Sequence, residues 1–121
     1  MPHLVLEFSA NVPDEPDFDG VLRRLHEALS ASGPFGLGKI KSRVVRHEAF
    51  RVADGAPDRA FVHLTVAVLD GREAEVLKAV AGPLLSALCE AFPRARRERR
   101  CDVTLEIREM PRALYFKAGP A

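Results

Sequence analysis

The apolar residues of this chain run through the same series of spacings twice: every second residue, then helical spacing, then every second residue again. That order confines the fold to a strand–helix–strand unit used two times over. From His3 to Phe8, Leu4, Leu6 and Phe8 fall on one side and His3, Val5 and Glu7 on the other, the pattern of a half-buried strand. Asp17 precedes a helical stripe of Val21, Leu22, Leu25, Ala28 and Leu29, and Gly33-Pro34 stops it, so a helix is expected from Phe18 to Ser32. Lys39 to Val45 reads as the second strand, continuing irregularly toward Val52 until the turn-rich Ala53-Asp54-Gly55-Ala56-Pro57-Asp58. The second unit begins with a strand over Ala60 to Val68. Its helix carries the stripe Val76, Leu77, Val80, Leu84, Leu85, Leu88 and Phe92. Pro83 inside that stripe removes one backbone bond and predicts a kink or two shorter helices, and Pro93 ends the run. Val103, Leu105 and Ile107 alternate in a last strand from Cys101 to Arg108, ahead of a short apolar tail, Leu114 to Lys117.

Crossovers of this kind are right-handed and make their two strands parallel. Two units side by side give an α+β fold: a four-stranded mixed sheet with both helices on one face. The other face stays uncovered, and on it Phe61, His63, Thr65 and Ala67 are only partly polar. An extended half-apolar face predicts self-association through the sheet.

Composition narrows the function by exclusion. A length of 121 residues with 47% hydrophobic content supports one domain, residues 1–121. A net charge of +1 gives no overall pull toward nucleic acid or anionic membrane. Cys89 and Cys101 stand apart, without metal-ligand spacing, and read as free thiols in a reducing cytosol. His3, His26 and His47 lack ligand spacing too, so no metal is expected. The N-terminus carries no signal-peptide pattern and no apolar run reaches spanning length, so a cytoplasmic protein is expected.

With no triad or phosphate loop in view, the chain terminus becomes the candidate reagent. Pro2 directly follows Met1; once the methionine is removed, its nitrogen is a secondary amine at the start of an apolar strand. A water-poor site lowers the pKa of a cationic amine, which makes it a general base near neutrality. With Met1 attached, the same nitrogen is an amide and has no useful basicity. Taken alone, proline at position two more often just assists methionine removal.

The opening Met1-Pro2-His3-Leu4-Val5-Leu6-Glu7, Ser9, Asn11, Ile40-Lys41-Ser42-Arg43-Val44, Ala53-Asp54-Gly55, Ala60-Phe61-Val62-His63, Gly71-Arg72 and Phe116-Lys117 resemble 5-carboxymethyl-2-hydroxymuconate isomerase from end to end. That family belongs to the tautomerase superfamily, with 4-oxalocrotonate tautomerase and macrophage migration inhibitory factor. The resemblance implies a tautomerase-like domain, a homotrimer, and a cofactor-free isomerase using an N-terminal proline. It implies an acidic dienol substrate, a 2-hydroxymuconate from homoprotocatechuate breakdown, and hence a role in aromatic catabolism.

An anionic substrate calls for cations near a dry pocket. Lys41 and Arg43, two residues apart, share one strand face. Relatives often carry arginine where Lys41 stands, and lysine keeps the charge without the planar fork. Arg72, at the start of the second helix, is the third cation that the resemblance suggests. The plainer accounts are a solvated strand face for Lys41 and Arg43 and a surface helix position for Arg72. His63 reads as a core or interface histidine, and Phe35, Phe61 and Phe116 as core at least as readily as pocket wall. Two other functions compete: a non-catalytic oligomeric binding module of the same fold, and nucleic-acid binding through the five arginines of Arg94–Arg100. The second ranks below catalysis, because an RNA-binding sheet needs exposed aromatics and these arginines suit a helix end.

Overall fold

The computed structural model describes residues 1–121. Its elements run β1 (His3–Ser9), α1 (Phe18–Ser32), β2 (Lys41–His47), β3 (Arg59–Leu69), α2 (Ala74–Ala91), α3 (Pro93–Glu98) and β4 (Arg100–Met110), with short 3-10 turns at Leu37–Lys39 and Arg112–Leu114. The sheet order is β2-β1-β3-β4. Each unit contributes a parallel pair, and the two units meet antiparallel between β1 and β3.

Alternation fixes which side is buried. Leu4, Leu6 and Phe8 of β1 and Ala60, Val62, Leu64, Val66 and Val68 of β3 form the inner face. Against them pack Val21, Leu25 and Leu29 of α1 and Leu77, Val80, Leu84, Leu88 and Ala91 of α2. Burying one such side chain is worth roughly 1.5–3 kcal/mol, so these stripes hold both helices on one face. Gly33 lets α1 end close to α2, since a Cβ there would lie 2.8 Å from Val80 Cγ1 and 3.0 Å from the Phe35 ring.

Three expectations are corrected. First, α2 is one 18-residue helix through Pro83, so of the two alternatives the pair of shorter helices is not realised. Ala79, Gly82 and Pro83 all lie on the exposed side, so the carbonyl that Pro83 leaves unpaired can be met by solvent while the buried stripe stays intact. Leu85, expected in that stripe, is instead exposed. Second, β2 ends at His47 and does not continue toward Val52. Its partner β1 ends at Ser9, and the Ala10 amide closes the ladder on the His47 carbonyl at 2.9 Å, leaving residues 48–52 no strand to pair with. Third, Lys39 belongs to a 3-10 turn and not to β2. Pro93 ends the α2 run as expected, and it also opens a further helix, α3, at its first turn. No local side chain caps α3. Asp14, some 80 residues earlier, receives the Arg94 and Ala95 amides at 2.8 and 2.7 Å. Caps of this kind are worth about 1 kcal/mol. Asp17 occupies the cap position of α1 without a side-chain bond.

The uncovered face carries more charge than the β3 pattern alone suggested. His63 lies 2.7 Å from Thr104 Oγ1 and 3.1 Å from Glu106 Oε1, and Arg108 donates to the same carboxylate at 2.9 Å. Those two partners, His63 first, hold Glu106 below the usual carboxylate range. His47 and Glu7 pair at 2.9 Å on the same face. No helix is long and apolar enough to cross a membrane.

Candidate functional site

Parallel pairing brings the starts of β1 and β2 together, and antiparallel pairing brings the end of β3 to the same edge. β4 runs parallel to β3, so its tail returns there as well. The tail is fastened by the Arg112 amide, which donates to Asp70 Oδ1 at 3.0 Å. Both ends of the chain therefore meet beside one cleft of about 550 Å³, bordered by Met1, Lys39, Lys41, Leu69, Tyr115 and Lys117. Phe116 and Ala118 complete its lining.

Pro2 lies buried behind Met1, and its carbonyl accepts the Lys41 amide at 3.0 Å. The Met1 amine donates to the Lys39 carbonyl at 2.8 Å. Burial first, then the charges of Lys41, Lys117 and Lys39, hold that amine below its ordinary pKa. No carboxylate lines the cleft. A second hollow, between α1 and β2, has about 540 Å³ and mixed charge, with Asp19 and Glu27 beside Arg23 and Lys41. There His26 Nε2 lies 2.7 Å from Ser42 Oγ, and burial lowers the His26 pKa.

Of the candidate residues, Lys41 lines the cleft, and Pro2 lies behind the lining, joined to it through the Lys41 amide. Arg43 follows on the same face, opposite Val5, and its charge reaches His3. Arg72 is set back from the lining: its guanidinium lies 4.6 Å from the centre of the Phe35 ring, and it donates to the Leu69 carbonyl at 3.5 Å. Phe35 is core, Phe61 contacts His47 and Phe50 on the open face, and Phe116 alone of the three aromatics reaches the cleft. Lys39, Lys117 and Tyr115 join the site only in the folded chain. Lys117 falls within the Phe116-Lys117 similarity, whereas nothing local marks Lys39 or Tyr115.

The arginine run is largely engaged within the chain. Arg94 forks onto Glu98 at 2.7 and 3.1 Å, Arg100 forks onto Asp58 at 2.8 and 2.7 Å, and Arg99 donates to the Asn11 carbonyl at 3.1 Å. Cys89 and Cys101 are free thiols; burial, then Asp102 and Asp14, push Cys101 up to about 11.

A sequence model of 5-carboxymethyl-2-hydroxymuconate isomerase matches residues 2–121. The chain belongs to this family. It is similar to the 5-carboxymethyl-2-hydroxymuconate Delta-isomerase of Escherichia coli, with 32% identity over 97% of this chain and 93% of that one. The crystal structure of a 5-carboxymethyl-2-hydroxymuconate isomerase from Deinococcus radiodurans superposes with a TM-score of 0.88 at 34% identity, covering 98% and 90% of the two chains. A more distant structure, a fused 4-OT symmetric trimer, shares the fold with a TM-score of 0.72 at 18% identity, covering 92% and 87%. As a member of the 5-carboxymethyl-2-hydroxymuconate isomerase family, the protein is an isomerase, built on the tautomerase fold, whose two strand–helix–strand units match the doubled pattern of the sequence.

Proposed function

We propose that the chain, once Met1 is removed, isomerises 5-carboxymethyl-2-hydroxymuconate with Pro2 as proton carrier and no cofactor. The observation that carries this reading is the terminus itself, seated at a cleft whose charged lining is entirely cationic: the terminal amine, Lys39, Lys41 and Lys117. Burial and the charges of Lys41, Lys117 and Lys39 depress the Met1 amine, and in this reading the same cationic end of the sheet acts on the Pro2 amine once Met1 has left. Neutral Pro2 takes the proton of the substrate's 2-hydroxyl, and the electron pair moves through the diene. The resulting ammonium returns that proton to the distal carbon. A carbon-bound hydrogen and a 2-oxo group form, and Pro2 is regenerated neutral.

Lys41 and Arg43 bind substrate carboxylates in this reading, with Arg43 able to grip one through two parallel bonds. Arg72 is the third cation, placed behind Leu69. Arg43→Ala is expected to lower kcat/KM about 10- to 100-fold, chiefly through KM, since an exposed ionic contact serves ground state and transition state alike. Following the loss of dienol absorbance in the ultraviolet measures this. Unchanged saturation and turnover would remove Arg43 from the site. A processed wild-type protein, verified by intact mass, that leaves the dienol decaying at the buffer rate would favour the non-catalytic binding module.

The assembly proposed is a homotrimer closed by the uncovered sheet face. Its support is the mixed polar and apolar surface there, together with the fold relative, a fused 4-OT symmetric trimer. Light scattering at micromolar concentration is expected to give three times the chain mass. A monomer would exclude the trimer.

A further inference from the structure

We propose that Tyr115 is a catalytic residue of this isomerase, donating its phenolic O–H to the substrate oxygen on which negative charge develops, and that His3 is the positioning residue that aims it. The proposal rests on the proton-shuttle reading above and adds to it the group that receives the displaced charge. Among the residues lining the cleft, Tyr115 supplies the single uncharged O–H. Ammonium groups suit the full charges of carboxylates, whereas a phenol donates one directional bond without neutralising a passing enolate.

The direction of the Tyr115 hydrogen follows from the His3 tautomer, which its surroundings select. His3 Nε2 lies 3.4 Å from the Tyr115 hydroxyl, with the rings edge-on at 62° and centroids 6.4 Å apart. The other ring nitrogen, Nδ1, is buried and has no partner. Burial first, then the Arg43 guanidinium, the terminal amine and Lys41, lower the His3 pKa, so the ring is neutral at pH 7 and carries one proton. On Nδ1 that proton would be a buried donor without an acceptor, whereas on Nε2 it has the tyrosine oxygen. Buried groups left unpaired are more often acceptors than donors. Nε2–H therefore donates to Tyr115, whose own O–H is then free to donate into the cleft, and the two bonds in series strengthen each other. The 3.4 Å spacing is long for such a bond, as contacts of this type are before substrate draws them in.

The only tyrosine in a chain without tryptophan is Tyr115, so ultraviolet emission reports on it alone. The test uses protein freed of Met1 and two stable probes: 2-oxoadipate, which carries the oxygen in question, and adipate, which lacks it. Saturating 2-oxoadipate is expected to change the tyrosine emission. In calorimetry, Tyr115→Phe is expected to bind 2-oxoadipate about 10-fold more weakly than wild type, with adipate affinity and thermal midpoint unchanged. Turnover of the dienol is expected to fall about 100-fold in kcat, the size found when one oxyanion donor is removed. His3→Leu should lower kcat with little change in KM, and His3→Gln, which keeps an N–H donor, should recover part of it. Equal 2-oxoadipate affinity in wild type and Tyr115→Phe, or no emission change, overturns the role of Tyr115. Unchanged kcat in His3→Leu overturns that of His3. If wild type leaves the dienol untouched, the substrate reading fails, while the contrast between the two probes still decides whether Tyr115 binds a 2-oxo group.

Discussion

Pro2→Ala is expected to lower kcat about 100-fold while leaving the thermal midpoint of the processed protein unchanged. Positioned proton transfer contributes roughly 10²- to 10⁴-fold to rates, and the lower end applies because alanine still ends in an amine. What is lost is the ring, which fixes φ near −65° and holds the nitrogen rigidly at the start of β1. A chain that keeps Met1 loses Pro2 as a base, since that nitrogen is then an amide, and its remaining amine sits one residue away, bonded to the Lys39 carbonyl, so its kcat should fall further than that of Pro2→Ala. The two comparisons separate rigid placement from basicity. The pH profile supplies the sign: burial, Lys41, Lys117 and Lys39 depress the Met1 amine, and if the Pro2 amine takes on the same surroundings after processing, it becomes a free base at lower pH than in the unfolded chain. Activity should therefore rise with pH through that depressed value, and substituting Lys117 by methionine should move this arm to higher pH. Equal kcat in Pro2→Ala and wild type would end the proton-carrier role.

The features that sequence made legible are those written in short-range spacing. Alternation in β1, β3 and β4 and the stripes of α1 and α2 each need only a few neighbouring residues to be seen, and two such units leave few ways to build one sheet. Lys41 and Arg43 could be placed on a common face by the same period-two rule. The rest depends on contacts distant in the chain. β2 stops at His47 because β1 has ended, a limit that residues 48–52 do not encode. α3 begins at Pro93 because Asp14 arrives to cap it. Pro83 is tolerated because it falls outside the buried stripe, which depends on how α2 is rotated against the sheet. The cleft follows the same logic: Lys39 and Lys117 are far apart in sequence and join only when the tail folds back over the start of β1. Arg72 is expected at the start of the second helix, but it lies just ahead of α2, where its guanidinium over the Phe35 ring joins that turn to the segment after α1.

Leu64→Ala is expected to be the most destabilising single change considered, costing about 2–5 kcal/mol. Leu64 is fully buried in the central strand β3, facing Leu6 of β1 on one side and Leu105 of β4 on the other, beneath the two helices. It lies where the two units join, so the hole cannot be closed by a loop shifting inward. Neighbours held by ladders on both sides relax little, which places the cost in the upper part of the range. Domains of this size have only about 5–15 kcal/mol of stability in total. Urea unfolding should show a much lower midpoint with an unchanged slope, because the surface exposed on unfolding is nearly the same. Leu114→Ala is the control: with 72% of its surface exposed, Leu114 should change stability by no more than about 0.5 kcal/mol. Well below its melting transition, Leu64→Ala should keep wild-type kcat, since Leu64 points away from the face on which Lys41, Arg43 and His3 stand. A large loss of kcat in fully folded Leu64→Ala would mean that the cleft depends on core packing and not on the meeting of the two chain ends.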